Sequence, residues 1–379
     1  MPRRGCLAWG LDELTKPVIV FVGAVYPGQF GRLCDYLRET GMAEAYFLTT
    51  PGHMERNRER GPHILGFKPD GKIVGDQSYY YTSKVERSAR ISRGVLSALT
   101  AFQKQRKIDV VVAHSLWGAP HFLYDEIDAA IVSYIEFPSF RAHGWDPAYP
   151  PDQSQRMTDR NTEMLNFHQA LCSDLVICPS RHAKQMFPKA LQANIEVQLE
   201  GFDFAAMPEA EPDTRARPFT IGFAARDLSS AKGFETFMRI TDKLAGQGVD
   251  ARFVPGKLPY DEFSKRVAEV DLFHYPLQFG VANWGLIEIL GRGGCVMAPD
   301  RGYAAELIQK DINGQLLPDD DDAWIAATLA LKDDPARRLR YGQAARAMAR
   351  QQYDLSAVAP RYMGLFSQAM QNRAARTAS

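Results

Sequence analysis

The sequence lacks any run of about 18 apolar residues, the length that a transmembrane helix needs, so it predicts no membrane-spanning segment. The N-terminal segment MPRRGCLAWGLDEL carries two arginines but no sustained apolar stretch, and we do not interpret it as a signal peptide. The chain also lacks a charge excess, since 45 Lys and Arg residues balance 45 Asp and Glu residues. This balance argues against a general nucleic-acid binder, which usually has a basic surface.

Cysteine is scarce, and its spacing matches no paired zinc or redox motif. We expect buried free thiols and a reducing, cytoplasmic compartment, with peripheral contact to the inner face of a membrane left open. The five residues are Cys6, Cys34, Cys172, Cys178 and Cys295.

Several catalytic signatures are missing as well. The sequence has no Walker loop, no Gly-x-Gly-x-x-Gly after a strand and no Gly-x-Ser-x-Gly elbow. Histidines and cysteines do not cluster with metal-ligand spacing, so we predict no metal site.

What the sequence has is a regular alternation of short apolar runs and helical stretches. Runs such as PVIVFVGAV (17–25), IDVVVAHS (108–115) and AAIVSYIEF (129–137) are typical of buried parallel strands. Residues 205–218 carry three prolines and lose this pattern, which restarts at FTIGFAA. We therefore predict an α/β fold with two facing Rossmann-like domains and a ligand cleft between them.

The predicted organisation has four parts. Residues 1–204 form an N-terminal Rossmann-like domain, 205–218 a linker, and 219–355 a C-terminal Rossmann-like domain. Residues 356–379 form a C-terminal helix that packs back on the N-terminal domain.

Two charged motifs in the second half carry candidate chemistry. Arg226 and Lys232, in RDLSSAKGFETF, follow a predicted strand and precede a helix. Two cations beside the N–H groups of a helix N-terminus would bind an anion, although an ordinary solvated loop is an equally open interpretation. Further along, Glu288 lies on a predicted helix after Asn283, where its carboxylate could accept hydrogen bonds from a ribose, and Glu306 begins another helix.

The order of these motifs resembles the retaining GT-B glycosyltransferases of family 4. The resemblance covers about residues 17–370 and includes SDLVICPSRHAKQMFP, VQLEGFDF, GYAAELI and NGQLL. It implies that the N-terminal domain (1–204) lies on the acceptor side and that the C-terminal domain (219–355) binds a nucleotide sugar. In that domain it implies that Arg226 and Lys232 bind the diphosphate and that Glu288 binds the ribose. The predicted donor site is completed by Gly28, Gly31, Asn283, Trp284, Gly285, Leu286 and Glu306.

The resemblance implies sugar transfer to an acceptor hydroxyl with retention, without an essential metal and without a cofactor besides the nucleotide sugar, for which UDP or GDP is favoured. The implied partners are this donor and a carbohydrate or small-molecule acceptor. The family usually has a second Glu eight positions before Glu288, where this chain has Gly280. A nucleotide-sugar binder without turnover, a partner subunit and a GT-B epimerase therefore stay open as alternatives.

The acceptor side of the site is predicted from two N-terminal loops. Gly28 and Gly31, in YPGQFG, would allow a phosphate to approach the backbone, or would simply form a tight turn. Glu136 and His143 lie in a polar and aromatic stretch after a strand, and we place both among the catalytic candidates beside Arg226 and Lys232.

Overall fold

The computed structural model describes residues 16–71, 79–139, 150–207, 217–225, 232–256, 258, 260–278 and 280–378. Within these ranges the chain forms two parallel β-sheets, each covered by helices. The predicted α/β class is confirmed, and the strand runs are buried as parallel sheets between helices require.

The first sheet has seven strands in the order β3-β2-β1-β4-β5-β6-β7. Their bounds are β1 Val18–Val22, β2 Glu44–Thr49, β3 Ile64–Gly66, β4 Val110–His114, β5 Ala130–Tyr134, β6 Leu175–Cys178 and β7 Ile195–Val197. The chain builds outward from β1 to β3 and then returns to the other side of β1 with β4, so strand order reverses between β1 and β4.

The second sheet has five strands in the order β12-β11-β10-β8-β9. These are β8 Phe219–Ala225, β9 Val249–Pro255, β10 Leu272–His274, β11 Val296–Pro299 and β12 Gln315–Leu317. Strand order reverses here between β8 and β10. Ligands of open α/β sheets bind at such reversals, beyond the carboxyl ends of the strands.

The connections between strands are mostly helical. The described α-helices are α1 Gly31–Glu39, α2 Pro51–Arg56, α3 Ser83–Gln103, α4 Gln153–Cys172, α5 Arg181–Gln185, α6 Lys189–Gln192, α7 Phe234–Lys243, α8 Tyr260–Ala268, α9 Trp284–Gly291, α10 Ala304–Leu307, α11 Asp321–Lys332, α12 Pro335–Tyr353 and α13 Leu355–Ala378. Short 3₁₀ turns occur at Arg58–Arg60, Tyr80–Thr82 and Pro120–Phe122.

Polar side chains fix where several of these helices begin. Asp152 accepts a hydrogen bond from the Gln155 N–H at 2.7 Å and so caps α4. Asp334 caps α12 in the same way, and Pro335 follows it at the first helical position. Both residues satisfy backbone donors that a helix N-terminus otherwise leaves without a partner.

The C-terminal helix α13 returns to the first sheet. Its residues Val358, Tyr362 and Phe366 are fully buried in the core of that sheet, and the Tyr362 hydroxyl donates to the Gln198 carbonyl at 3.1 Å. The predicted domain boundaries stay predictions, because residues 208–216 of the proposed linker lie outside the described part of the chain.

Three of the predicted buried thiols, Cys34, Cys178 and Cys295, are buried and free. Cys172 corrects the expectation, because it lies at the solvent-facing end of α4 and is only partly buried. Cys6 lies outside the described residues. Among the helices that the structure describes, none is both long enough and apolar enough to cross a membrane.

Candidate active site

Several of the predicted site residues lie in segments that follow the carboxyl ends of strands, and some of these strands flank the two reversals. The loop containing Gly28 follows β1, and His114 ends β4. On the second sheet, Lys232 lies between β8 and α7, and the segment before α9 follows β10. Both edges therefore carry the loops in which an open α/β sheet places its ligands.

Glycine is required in the loop after β1 because the loop folds tightly on itself. Gly28 has φ 47°, and a Cβ there would lie 2.5 Å from the Val25 carbonyl oxygen. A Cβ on Gly31 would lie 2.5 Å from Pro27 Cβ and 3.1 Å from the Tyr26 ring. These contacts account for both glycines as turn residues, and their contact with a phosphate stays a prediction.

Glu136 follows β5 and is held by His114. The Leu116 N–H donates to His114 Nδ1 at 3.2 Å, so the proton of a neutral ring is on Nε2. This nitrogen lies 3.3 Å from Glu136 Oε2 and donates to it. His114 is buried, whereas the Glu136 side chain is 37% exposed. The pair thus presents an oriented carboxylate at the edge of the sheet.

A second acid, Glu200, lies close to Glu136 and was not predicted. It is 2% exposed, and the Tyr134 hydroxyl hydrogen-bonds to it. Burial above all, together with the negative charge of Glu136, raises the pKa of Glu200 from 4.5 to about 8. Glu200 is therefore mostly protonated at neutral pH, which limits charge repulsion next to Glu136.

Lys232 lies immediately before α7, next to Gly233. Gly233 has φ 81°, and a Cβ at this position would overlap the carbonyl oxygen of Pro276. The beginning of α7 is thereby packed against the loop after β10. Lys232 and the N-terminal N–H groups of α7 come together at the second sheet's reversal, the arrangement that an anion site needs. Arg226, the other predicted cation, lies outside the described residues.

Gly233→Ala should both destabilise the protein and disturb this arrangement. Its left-handed φ costs about 1–2 kcal/mol in any non-glycine residue, and the clash with Pro276 adds to that cost. Gly246→Ala is the matched control, because Gly246 has φ 78° but nothing within 4 Å of an added Cβ. We expect urea unfolding to show a clearly larger loss for Gly233→Ala, and equal losses would contradict the tight packing.

Helix α9 carries the other predicted donor residues. Asn283 caps it, with its side-chain oxygen accepting from the Leu286 N–H at 2.9 Å. Leu286 is fully buried in the core of the second domain, so its side chain has no access to a ligand, and its place in the donor site stays a prediction for the backbone alone. Trp284 is 37% exposed and packs edge-on against Phe202. Gly285 follows it in the first turn of the helix.

Glu288 lies one turn further along α9 and keeps part of its carboxylate exposed. Its Oε1 pairs with Arg292 Nη2 at 3.2 Å, and its side chain is 20% exposed. Arg292 is buried, contacts Ser264 Oγ at 3.0 Å and packs over the Phe263 ring. The salt bridge fixes the carboxylate in an orientation, as a ribose-binding acid requires.

Glu306, also predicted for the donor site, has partners within the protein. Its carboxylate accepts from the backbone N–H groups of Arg181, at 3.0 Å, and of His182. Glu306 on α10 therefore binds the first turn of α5 and joins the two domains, and its contact with a donor stays a prediction.

The same contact brings in a residue that the sequence analysis missed. His182, from the N-terminal domain, lines a cavity of about 190 Å³ together with Gln278, Gly280, Arg301 and Gly302 of the second domain. No motif spacing indicates His182, because only the domain contact brings it to the site. The predicted residue His143 lies outside the described residues. Within the ranges described, no three His, Cys, Asp or Glu side chains form a group suited to a metal ion.

Comparison with known proteins agrees with this architecture. Residues 42–207 match the model of the "Glycosyl transferase family 4 group". No curated protein sequence matches the chain.

Solved structures of similar fold cover nearly the whole chain. Sucrose-phosphate synthase from Thermosynechococcus elongatus superposes with a TM-score of 0.71 and 13% identity, covering 93% of this chain and 99% of that one. HepE from Anabaena in complex with UDP-glucose gives 0.65 and 14%, covering 92% and 99%. The catalytic domain of starch synthase IV from Arabidopsis thaliana, bound to ADP and acarbose, gives 0.63 and 12%, covering 94% and 100%.

These neighbours show that the chain has the two-domain GT-B fold. The chain thus has the GT-B fold, and its residues 42–207 are similar to the glycosyl transferase family 4 group.

Proposed function

We propose that the protein transfers a sugar from a nucleotide diphosphate sugar to an acceptor hydroxyl, with retention and without an essential metal. One observation supports this proposal. Lys232 and the α7 N-terminus follow β8, Glu288 on α9 follows β10, and these two neighbouring strands flank the reversal of the second sheet. A cationic site and an oriented carboxylate suit the diphosphate and the ribose of one ligand.

The chemical task of the cationic site is to stabilise the leaving group. Departure of the nucleoside diphosphate builds negative charge on its oxygens. The first N–H groups of α7 are held before the reaction by the close approach of Gly233 to the Pro276 carbonyl, and Lys232 directly precedes Gly233. Preorganised donors of this kind stabilise the transition state because they need no rearrangement as charge develops.

The acceptor is proposed to bind at the edge of the first sheet, next to Glu136. Its carboxylate is partly exposed and is oriented by the Nε2–H of His114. A carboxylate in this position can accept a hydrogen bond from the acceptor hydroxyl and align it for attack. Glu200 nearby stays largely protonated at neutral pH, because burial raises its pKa to about 8.

A thermal-shift screen against UDP, GDP, ADP and their sugar conjugates tests donor binding. HepE structures contain UDP and UDP-glucose, which favours starting with UDP. A ligand at a hundredfold excess over its dissociation constant should stabilise the native state by about 2.7 kcal/mol and raise the melting temperature. Lys232→Ala should reduce this shift, and Lys243→Ala, at the far end of the same helix, should not.

The screen also separates the alternatives. Binding with transfer to an acceptor supports the proposal, whereas binding without any turnover favours the non-catalytic binder. Sugar conversion that needs no acceptor favours an epimerase. No shift with any of the three nucleotides contradicts the proposed donor site.

Retention and metal independence are tested on the same reaction. Proton NMR of the first product gives its anomeric configuration, and turnover in the presence of EDTA shows whether a divalent ion is needed. An inverted product or full loss of activity with EDTA would overturn the corresponding part of the proposal.

A further inference from the structure

The cavity between the domains has a charge character that bears on the identity of the sugar. It is lined by His182 from one domain and by Gln278, Gly280 and Arg301 from the other. Asn283, which caps the helix of Glu288, lines it too. The cavity therefore adjoins the beginning of the helix that carries Glu288, and we place the sugar of a bound donor there.

Arg301 is the fixed positive charge of this cavity. Its Nη2 donates to Gln278 Oε1 at 2.5 Å and its Nη1 to Asp319 Oδ2 at 2.9 Å. Asp319 is 57% exposed and Arg301 42% exposed. An exposed pair of this kind contributes only about 0–1 kcal/mol, so Asp319 orients the guanidinium without neutralising the cavity. These two contacts use two of the five N–H donors of the guanidinium.

The described residues that line the cavity include no carboxylate side chain. Glu306 lies on the helix next to the cavity, but its carboxylate accepts from backbone N–H groups of α5. Among the described residues, a Cβ at Gly280 would meet the Ala282 carbonyl oxygen, at 3.8 Å, and no other atom within 4 Å, so these residues leave space beside Gly280. A neutral sugar offers hydroxyl donors that carboxylates bind well, and this lining does not favour them.

We propose that the donor is a nucleotide-linked uronic acid, whose sugar carboxylate is bound by Arg301 in the space next to Gly280. This inference rests on the proposed function, because it assigns the sugar of the same donor. The planar guanidinium matches a carboxylate in a two-point, charge-assisted contact that a neutral hydroxymethyl group cannot form. The His182 imidazole, which lines the cavity from the other domain, supplies a further hydrogen-bonding group.

The diphosphate is the other anion that could account for Arg301, and binding measurements separate the two. Isothermal titration calorimetry with UDP, UDP-glucose and UDP-glucuronate compares ligands that share the nucleotide and differ only in the sugar. UDP-galactose and UDP-galacturonate form a second neutral and acidic pair. If the nucleotide screen selects GDP, the pair is GDP-mannose and GDP-mannuronate.

We expect the acidic member of at least one pair to bind about tenfold or more tightly than its neutral partner. Arg301→Gln should abolish this preference and leave the affinity for UDP unchanged. Arg239→Gln is the control, because Arg239 is 56% exposed and pairs with Asp321 on the outside of the second domain. This variant should keep the preference of the wild type.

Equal weakening of UDP and of both sugar conjugates in Arg301→Gln would make Arg301 a diphosphate ligand and overturn the inference. A wild-type protein that binds neutral and acidic donors alike, in every pair, would overturn it as well. In both cases the proposed transferase stands, since the nucleotide still binds. Failure of all nucleotides to bind would instead reject the proposed function itself.

Discussion

Replacing Lys232 by alanine is expected to lower kcat by about 10²–10³, the effect of removing one preorganised donor to a developing negative charge. The loss should occur with little change in stability, because Lys232 precedes α7 and is only half-buried. Turnover is measured as release of the nucleoside diphosphate, with the donor that the thermal-shift screen selects. Urea unfolding of the same sample shows that the variant is folded.

Lys243→Ala is the matched control for this prediction. Lys243 lies in the last turn of the same helix, is 50% exposed and pairs with Asp321 at 3.3 Å. Its removal should change stability by about 0.5 kcal/mol at most and leave kcat unchanged. Near-normal turnover in Lys232→Ala would remove this residue from the leaving-group site. An equal loss in both variants would mean that the helix as a whole, and not the charge at its start, limits the reaction.

The sequence predicted the layered fold because local patterns determine it. Continuous apolar runs such as IDVVVAHS place apolar side chains on both faces of the strand, so they require a sheet covered on both sides. The beginning of α9 was also readable, because Asn283 is a common capping residue before an apolar helical pattern. The position of Glu288 on that helix, in the first turns after a strand, could be predicted for the same reason.

Contacts between the domains could not be predicted in this way. Glu306 begins a helix after a strand, which is the pattern of a ligand-binding acid, yet its partners are backbone groups more than 120 residues earlier in the chain. His182 reaches the cavity only because of this contact. Leu286 shares the segment of Asn283 and Glu288, but its position on the helix turns it toward the core. Such outcomes depend on packing between distant segments, for which sequence spacing carries no signal.

Glu200 is another residue whose surroundings sequence spacing could not indicate, and its burial causes the second large expected effect on the protein. It follows β7 in the sequence VQLEGFDF, just before the chain passes to the second domain. There the Phe202 N–H donates to the Tyr353 carbonyl at 2.7 Å, and the Leu355 N–H donates to the Phe202 carbonyl at 2.9 Å. A carboxyl group buried beside this crossing loses its hydration whenever the protein is folded.

Glu200→Gln is expected to stabilise the protein, and increasingly so as the pH rises. Burial raises the pKa of Glu200 from 4.5 to about 8. Below pH 4.5 Glu200 is protonated in both the folded and the unfolded state, so its ionisation does not change the free energy of unfolding. Between pH 4.5 and 8 the unfolded state has released this proton while the folded state retains it, so the wild-type protein loses stability with rising pH. A shift of this size corresponds to about 4 kcal/mol at pH 8.

Urea unfolding of the wild type and of Glu200→Gln at pH 5, 6, 7 and 8 measures this difference. The groups that face Glu200 are Tyr134, which hydrogen-bonds to it, Glu136, Tyr303 and Tyr362. Glutamine keeps the shape and a hydrogen-bond acceptor for Tyr134 but cannot ionise, so the gap between the two free energies of unfolding should widen over this range. Glu196→Gln, on the preceding strand β7 and only partly buried, is the control and should follow the wild type. Parallel curves for wild type and Glu200→Gln would show that Glu200 ionises as readily in the folded chain as in the unfolded one, and that water reaches its carboxylate.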